Sequence, residues 1–288
     1  MEKESPKNME NSSLRCVRCD TELKGAFCYS CGEKRIEPKD KRIGHFLEEA
    51  ISSVFVADGK FFKTIKELVT NPGELTNSFI KGIRKKYLTP LQLFFFANLV
   101  YFIFPLISTF NTSLEVQMYQ LPYSSSIRPL VESYIEESEL GLEKFTAEFE
   151  TASSSNGKLL LIVLVVLQGF FLKSLFWKNK KFFLVDFFAA SAYFYGFYIL
   201  FILVLFPATV FLLTSLFNFS MDAFFSELTM SIFFLIIIIG YMFFLIRRAF
   251  DTGNVGALWR SFLLGMFIIP SFIIYRYILF WVTFLMVT

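Results

Sequence analysis

From Leu228 to Ile246 the chain reads LTMSIFFLIIIIGYMFFLI, without a single charge, and it is closed by Arg247-Arg248. A helix rises about 1.5 Å per residue, so roughly 20 apolar residues are needed to cross about 30 Å of hydrocarbon. Residues 88–108, 159–177, 190–213 and 261–284 have the same character, the last two inside longer apolar runs, Asp186–Phe217 and Leu258–Val287. The expected fold class is therefore an all-α membrane protein with about five transmembrane helices, occupying residues 88–288. Of the 288 residues 55% are hydrophobic and 40 are phenylalanine, more than a domain with one solvated surface carries, so lipid must be the solvent for most of the chain. Pro90 falls in the first turn of the first span, where its missing N–H is harmless. Pro207 is expected to kink the third run, unless the first turns of that run lie in the interface. The last run either crosses once or forms a re-entrant hairpin.

Charge sets the orientation, because lysine and arginine beside the spans are retained in the cytosol. Arg84, Lys85 and Lys86 precede the first span. Lys173, Lys178, Lys180 and Lys181 lie at the second connection, and Arg247, Arg248 and Arg260 at the last. With five crossings all three clusters fall on one face, which puts the N-terminus in the cytosol and the C-terminus outside. Loop 109–157, with Glu132, Glu136, Glu137, Glu139, Glu143, Glu148 and Glu150, is then external. Leu130, Tyr134, Ile135, Leu142, Phe145 and Phe149 have helical spacing, while Ser124–Ser126 and Ser153–Ser155 read as flexible joints. The order of this loop stays open.

All four cysteines fall in one short stretch, Cys16, Cys19, Cys28 and Cys31, as two C-x2-C pairs with Gly25 between them and Gly32 after the second. Four thiolates at that spacing can close a tetrahedron around one ion, and residues 15–36 read as a small structural zinc ribbon. Two disulfides, or a redox-active C-x-x-C pair, are the alternatives. With four protein ligands no coordination position is open to water, so the ion would fold the ribbon rather than do chemistry. His45 is too far along to serve as a ligand. Residues 1–14 are polar and read as a disordered tail with no secretory signal.

Residues 37–87 read as amphipathic helices. Ile43, Phe46, Leu47, Ala50, Ile51 and Val54 recur at three and four, and so do Phe61, Phe62, Ile65, Leu68 and Val69, until Asn71-Pro72-Gly73 stops the chain. A short helix from Glu74 to Gly82 follows. These segments are expected to lie against the inner membrane surface or against the span ends, or else to form a small soluble helical domain.

The order of these pieces is similar to a bacterial membrane family. The C-x2-C…C-x2-C-G knuckle, Asp58-Gly59-Lys60-Phe61, Asn71-Pro72-Gly73, and Gly82-x-Arg84-Lys85-Lys86-Tyr87-Leu88-x-Pro90 running into the first span resemble a domain of unknown function with an N-terminal zinc ribbon. The resemblance covers about residues 14–105. It implies a bacterial cytoplasmic (inner) membrane location and no activity, and it carries over no functional residues.

No acid pair, H-E-x-x-H, G-x-S-x-G or phosphate loop is visible, so no enzymatic activity is expected. The intramembrane polar residues are Asn98, Gln168 and Arg276, the last able to snorkel or to pair with Glu227 or Asp222. Asn98 and Gln168 serve either as interhelical hydrogen bonds or along a transport path. Lys81, Arg84, Lys85 and Lys86 form a basic collar that anchors the first span or recognises an anionic lipid. Membrane lipids and a protein bound through the ribbon are the expected partners. Nucleic acid is not expected, since Asp20, Glu22 and Glu33 offset the ribbon's basic residues. Three functional classes follow: a scaffold or regulatory adaptor, a transporter or channel, and, with the least support, a lipid-directed enzyme.

Overall fold

The computed structural model describes residues 15–35, 59–105, 110, 112–138, 141–217 and 227–288. The expected tail, the amphipathic segment Ile43–Val54, His45 and Asp222 lie outside the described residues. Among the described residues the structure is all-helical, apart from two isolated antiparallel bridges in the cysteine knuckle. The helices are α1 (Lys60–Thr70), α2 (Glu74–Lys81), α3 (Pro90–Ile103), α4 (Leu114–Tyr119), α5 (Ser124–Ser138), α6 (Leu142–Leu159) and α7 (Ile162–Leu175). They continue with α8 (Leu184–Phe197), a π-helical segment (Tyr198–Leu205), α9 (Phe206–Phe217), α10 (Glu227–Ala249) and α11 (Asn254–Val287).

Three helical stretches are long and apolar enough to cross a membrane: Leu184–Leu216, Thr229–Ala249 and Asn254–Val287. A fourth is α6 with α7, bent by 48° at Leu160–Leu161. Helix α3 is apolar but short, and the reason is local. Pro105 disfavours helical geometry at the residue before it, and Phe104 has left the helix at φ −121°, ψ 70°. Among the described residues of the span expected over 88–108, the helix runs from Pro90 to Ile103. Its start is well specified: Pro90 occupies the first turn, and the Thr89 hydroxyl and Gln92 amide close a reciprocal capping box.

Helix α8 is the centre of the bundle, with every residue from Val185 to Phe197 buried. It packs against α3 and α7, and its run Ala189-Ala190-Ser191-Ala192 lets neighbouring backbones come close. At its start the Asp186 carboxylate accepts from the Phe183 N–H at 2.8 Å, as an acid at the positive end of a helix should. Ahead of Pro207 the chain does not kink sharply. It widens into the π-helical segment, where the Phe206 N–H reaches back to the Phe201 carbonyl, because Pro207 has no N–H to continue the ladder.

Helix α11 is one unbroken helix of 34 residues, about 51 Å long, so the last apolar run is not a re-entrant hairpin. Beside Pro270 the Ser271 hydroxyl donates to the carbonyls of Phe267 and Ile268 at 2.8 Å. Its far end carries Phe280 and Phe284 into a second, smaller core with Leu114, Met118, Ile127, Val131, Phe145 and Phe149. The described part of the acidic segment 109–157 is therefore a helical cap. Ser124–Ser126 begin α5 and Ser153–Ser155 lie inside α6, with Ser153 buried, so neither is a joint. Apolar residues at three-and-four spacing on both sides outweigh the serines' preference for turns.

The bundle has two unlike ends. At one, Phe182 and Phe176 from the α7–α8 connection pack on Phe250 after α10, Arg260 Nε donates to the Leu175 carbonyl at 3.2 Å, and Arg248 donates to Asn71. The three basic connections and the knuckle gather here. At the other end sits the aromatic cap.

Candidate metal centre

The knuckle is one turn built twice. In the first copy the Cys16 N–H donates to the Thr21 carbonyl, the Asp20 N–H returns to the Cys16 carbonyl, and Arg15 bridges Glu22. In the second the Cys28 N–H donates to the Glu33 carbonyl, the Gly32 N–H returns to the Cys28 carbonyl, and Phe27 bridges Lys34. The residue after each second cysteine is left-handed, Asp20 at φ 58° and Gly32 at φ 68°. Asp and Gly are types that tolerate that region. Each turn thus folds a C-x2-C pair so that both sulfurs point inward.

The four Sγ atoms lie within 4.8 Å of one another, and Cys16–Cys31, Cys19–Cys28 and Cys19–Cys31 are each separated by 3.5 Å. A disulfide would need about 2.0 Å, and all four thiols are free. A tetrahedron of sulfurs around a zinc-sized ion, with bonds of about 2.3 Å, has edges of about 3.8 Å. The donor set therefore fits a metal ion. Hydrogen bonds from the Thr21 side chain and backbone hold the exposed Cys19 thiol down to about 6. The Glu33 N–H acts the same way on Cys31, but desolvation and the neighbouring sulfurs carry that thiol up to about 12. A cation bound among the four sulfurs would displace the thiol protons.

Glu33 joins this cluster to the helices. Its side chain is only 2% exposed, and its Oε1 accepts from the Arg84 N–H at 3.0 Å and the Lys85 N–H at 3.3 Å, with Arg18 3.9 Å from Oε2. Sequence reasoning counted Glu33 only as a surface charge. The signal available was its place two residues after Cys31, matching Thr21 after Cys19.

The collar itself is folded by the strip before it. Gly82 ends α2 at φ 91°, its N–H on the Phe79 carbonyl and the Ile83 N–H on the Ser78 carbonyl, a double bond pattern that only a left-handed residue completes. Leu88 is then held on both sides: its N–H donates to the buried Thr64 hydroxyl at 2.9 Å, and its carbonyl accepts from Tyr193 at 2.8 Å. Thr64, not Phe62 or Val69, completes the inner face of α1, and those two side chains are exposed. At Asn71-Pro72-Gly73 the chain meets α10. Gly73 has φ 90°, and a Cβ there would sit 2.8 Å from the Leu245 carbonyl oxygen. Of the collar side chains, Arg84 lies over the Phe79 ring, Lys86 over Tyr87, and Lys85 close to Gly32, while Lys81 is exposed.

The intramembrane polar residues have separate neighbours. Asn98 donates to the Lys158 carbonyl at 2.8 Å, and Tyr275 donates to the adjacent Gly157 carbonyl at 2.5 Å. At this bend the ladder changes to Val163→Leu160 and Leu164→Leu161 bonds, so side chains from α3 and α11 serve carbonyls that a straight helix would have used. Gln168 is buried against Met242, with its Nε2 3.8 Å from the sulfur. Arg276 is half-buried, and its charge acts on Tyr123, a phenol that burial nevertheless pushes up to about 12.

Residues 58–102 match a family model described as Protein of unknown function (DUF3667). No curated protein and no solved structure gives a match. The match begins at the Asp58-Gly59-Lys60-Phe61 strip and ends inside α3, so it covers the helices that receive the knuckle and not the knuckle itself. It supports a domain of unknown function over that strip.

Proposed function

We propose that this is a bacterial inner-membrane protein with five crossings, α3, the α6–α7 pair, the α8–α9 helix, α10 and α11, and with a structural zinc ribbon on its cytosolic face. In this reading it acts as a scaffold or regulatory adaptor for a protein partner. Cys16, Cys19, Cys28 and Cys31 would hold the zinc, which supplies folding stability and no open coordination position. The C-terminus is external and the acidic cap faces outward. The three basic connections at one end of the bundle support this orientation.

The observation that carries the adaptor reading is the exposure of apolar side chains on the knuckle. Val17, Phe27 and Tyr29 of the knuckle are 56, 59 and 70% exposed, while Glu33 latches the knuckle to the Arg84 and Lys85 N–H groups. Three large apolar side chains left exposed on so small a module suit a protein contact. The test is crosslinking and co-purification from native membranes, comparing the unaltered chain with Phe27→Ser/Tyr29→Ser and with Cys28→Ser/Cys31→Ser. A partner captured by the first and lost by both variants supports the adaptor. The same proteins captured by all three would contradict it.

A transporter is the second reading, favoured by Gln168, whose Oε1 is buried with no hydrogen-bond partner among the described residues. Flux in proteoliposomes that falls with Gln168→Leu would favour it.

A further inference from the structure

The end of α10 and the Asn71-Pro72 turn enclose an open cleft of about 460 Å³, lined by Thr70, Asn71, Pro72, Phe244, Arg247 and Arg248. Its geometry is fixed by contacts already described. Gly73 brings the turn against Leu245 and Arg248, so the two walls cannot drift apart without breaking that approach. The Asn71 amide nitrogen donates to Glu67 Oε2 at 2.8 Å and lies 3.3 Å from Thr70 Oγ1, which aims its oxygen at Arg248 Nη1, 3.0 Å away. One edge of the Arg248 guanidinium is thereby held, and its other N–H donors are left for something else. Among the described residues neither Arg247 nor Arg248 is paired with a carboxylate.

Two guanidiniums with spare donors in a fixed cleft are suited to a phosphate, which they bind in a fork geometry. The apolar side of the cleft indicates what the phosphate is attached to. Phe244 is 53% exposed, and Ile236 and Phe233 continue the same exposed face along α10 at 65 and 46%. The spacings of eight and three residues keep them on one stripe. The stripe starts at the arginines and runs along a helix apolar enough to cross the membrane. We infer that this cleft binds the phosphodiester headgroup of an anionic phospholipid, with Arg247 and Arg248 on the phosphate and an acyl chain along Phe244, Ile236 and Phe233. The site differs from the collar at Lys81–Lys86. It depends on α10 meeting lipid and is independent of the zinc ribbon and of any protein partner.

Native mass spectrometry of the full chain in neutral detergent, titrated with phosphatidylglycerol or phosphatidylcholine, tests the assignment. Phosphatidylglycerol should bind more tightly than phosphatidylcholine, and Arg247→Ala/Arg248→Ala should weaken it by about 30-fold, since each basic side chain at a membrane surface contributes about fivefold. Lys178→Ala/Lys180→Ala removes two charges at the same end that do not line the cleft, so that a phosphate seated there is screened from them, and it should change binding by less than about twofold. Arg248→Gln, a milder variant, should give an intermediate loss if the double variant fails to fold. Equal binding of the two lipids, or equal losses in the arginine and lysine pairs, would overturn the site. Competition by millimolar inorganic phosphate or glycerol phosphate as strong as that by the lipid would overturn the lipid assignment in favour of a soluble phosphate.

Discussion

The two ends of this bundle are held together by different physics. At the basic end single atoms decide the arrangement: Glu33 Oε1 on two backbone N–H groups, Thr64 and Tyr193 on either side of Leu88, Asn71 on Arg248, and a hydrogen in place of a side chain at Gly73. At the cap end Phe145, Phe149, Phe280 and Phe284 with Ile127 and Val131 bury area, and the long-range polar contacts among the described residues include Asn156 on Thr283 and Met286 and the Leu114 N–H on Glu150. Hydrogen bonds fix position because they are directional, whereas apolar packing fixes volume and tolerates rearrangement. The family match falls on the directional end, where short motifs at fixed positions are needed.

Ways to break this contrast can be ranked by size. In the proposed zinc reading, removing the ion by chelation, or its ligands by Cys28→Ser/Cys31→Ser, should have the largest effect and a local one, since structural zinc sites unfold without their ion. Trypsin cleavage after Arg84, Lys85 and Lys86 should accelerate while the thermal melt of the helical bundle in detergent stays put. A common shift of both would merge the two regions into one cooperative unit. Next, Phe280→Ala at the cap should cost about 3–5 kcal/mol, whereas Leu114→Met or Met118→Leu should cost less than about 1.5 kcal/mol, read from thermal or denaturant melts.

Gly73→Ala adds one carbon, yet it should cost about 3 kcal/mol, combining left-handed strain with collision against the Leu245 carbonyl. A melt within one degree of the parent would mean that α10 yields at that contact. Glu33→Ala leaves two N–H groups at the collar without their acceptor, at about 2 kcal/mol. It should raise tryptic cleavage at Arg84–Lys86 while metal content is retained. Thr64→Val should be the smallest, about 1 kcal/mol for the Leu88 bond.

Legibility in the sequence followed the same division. Patterns that repeat were readable: apolar runs gave the helices, C-x2-C spacing gave the knuckle, and the three-and-four spacing of Leu130, Tyr134, Phe145 and Phe149 marked the cap, although the serines beside it argued for joints. What depends on a single distant partner was not readable. Thr64 and Glu33 are polar residues whose burial requires knowing that Leu88, Arg84 and Lys85 arrive beside them. The bend at Leu160–Leu161 is likewise invisible in hydropathy, because its carbonyls are satisfied by Asn98 and Tyr275 from other helices.

The central claim, a metal-folded knuckle set on the helical bundle, is tested most directly by zinc-edge X-ray absorption on the purified full chain together with elemental analysis. One zinc per chain with four sulfur neighbours at about 2.3 Å is the predicted result. A stoichiometry near zero, or a shell dominated by nitrogen and oxygen, would contradict it.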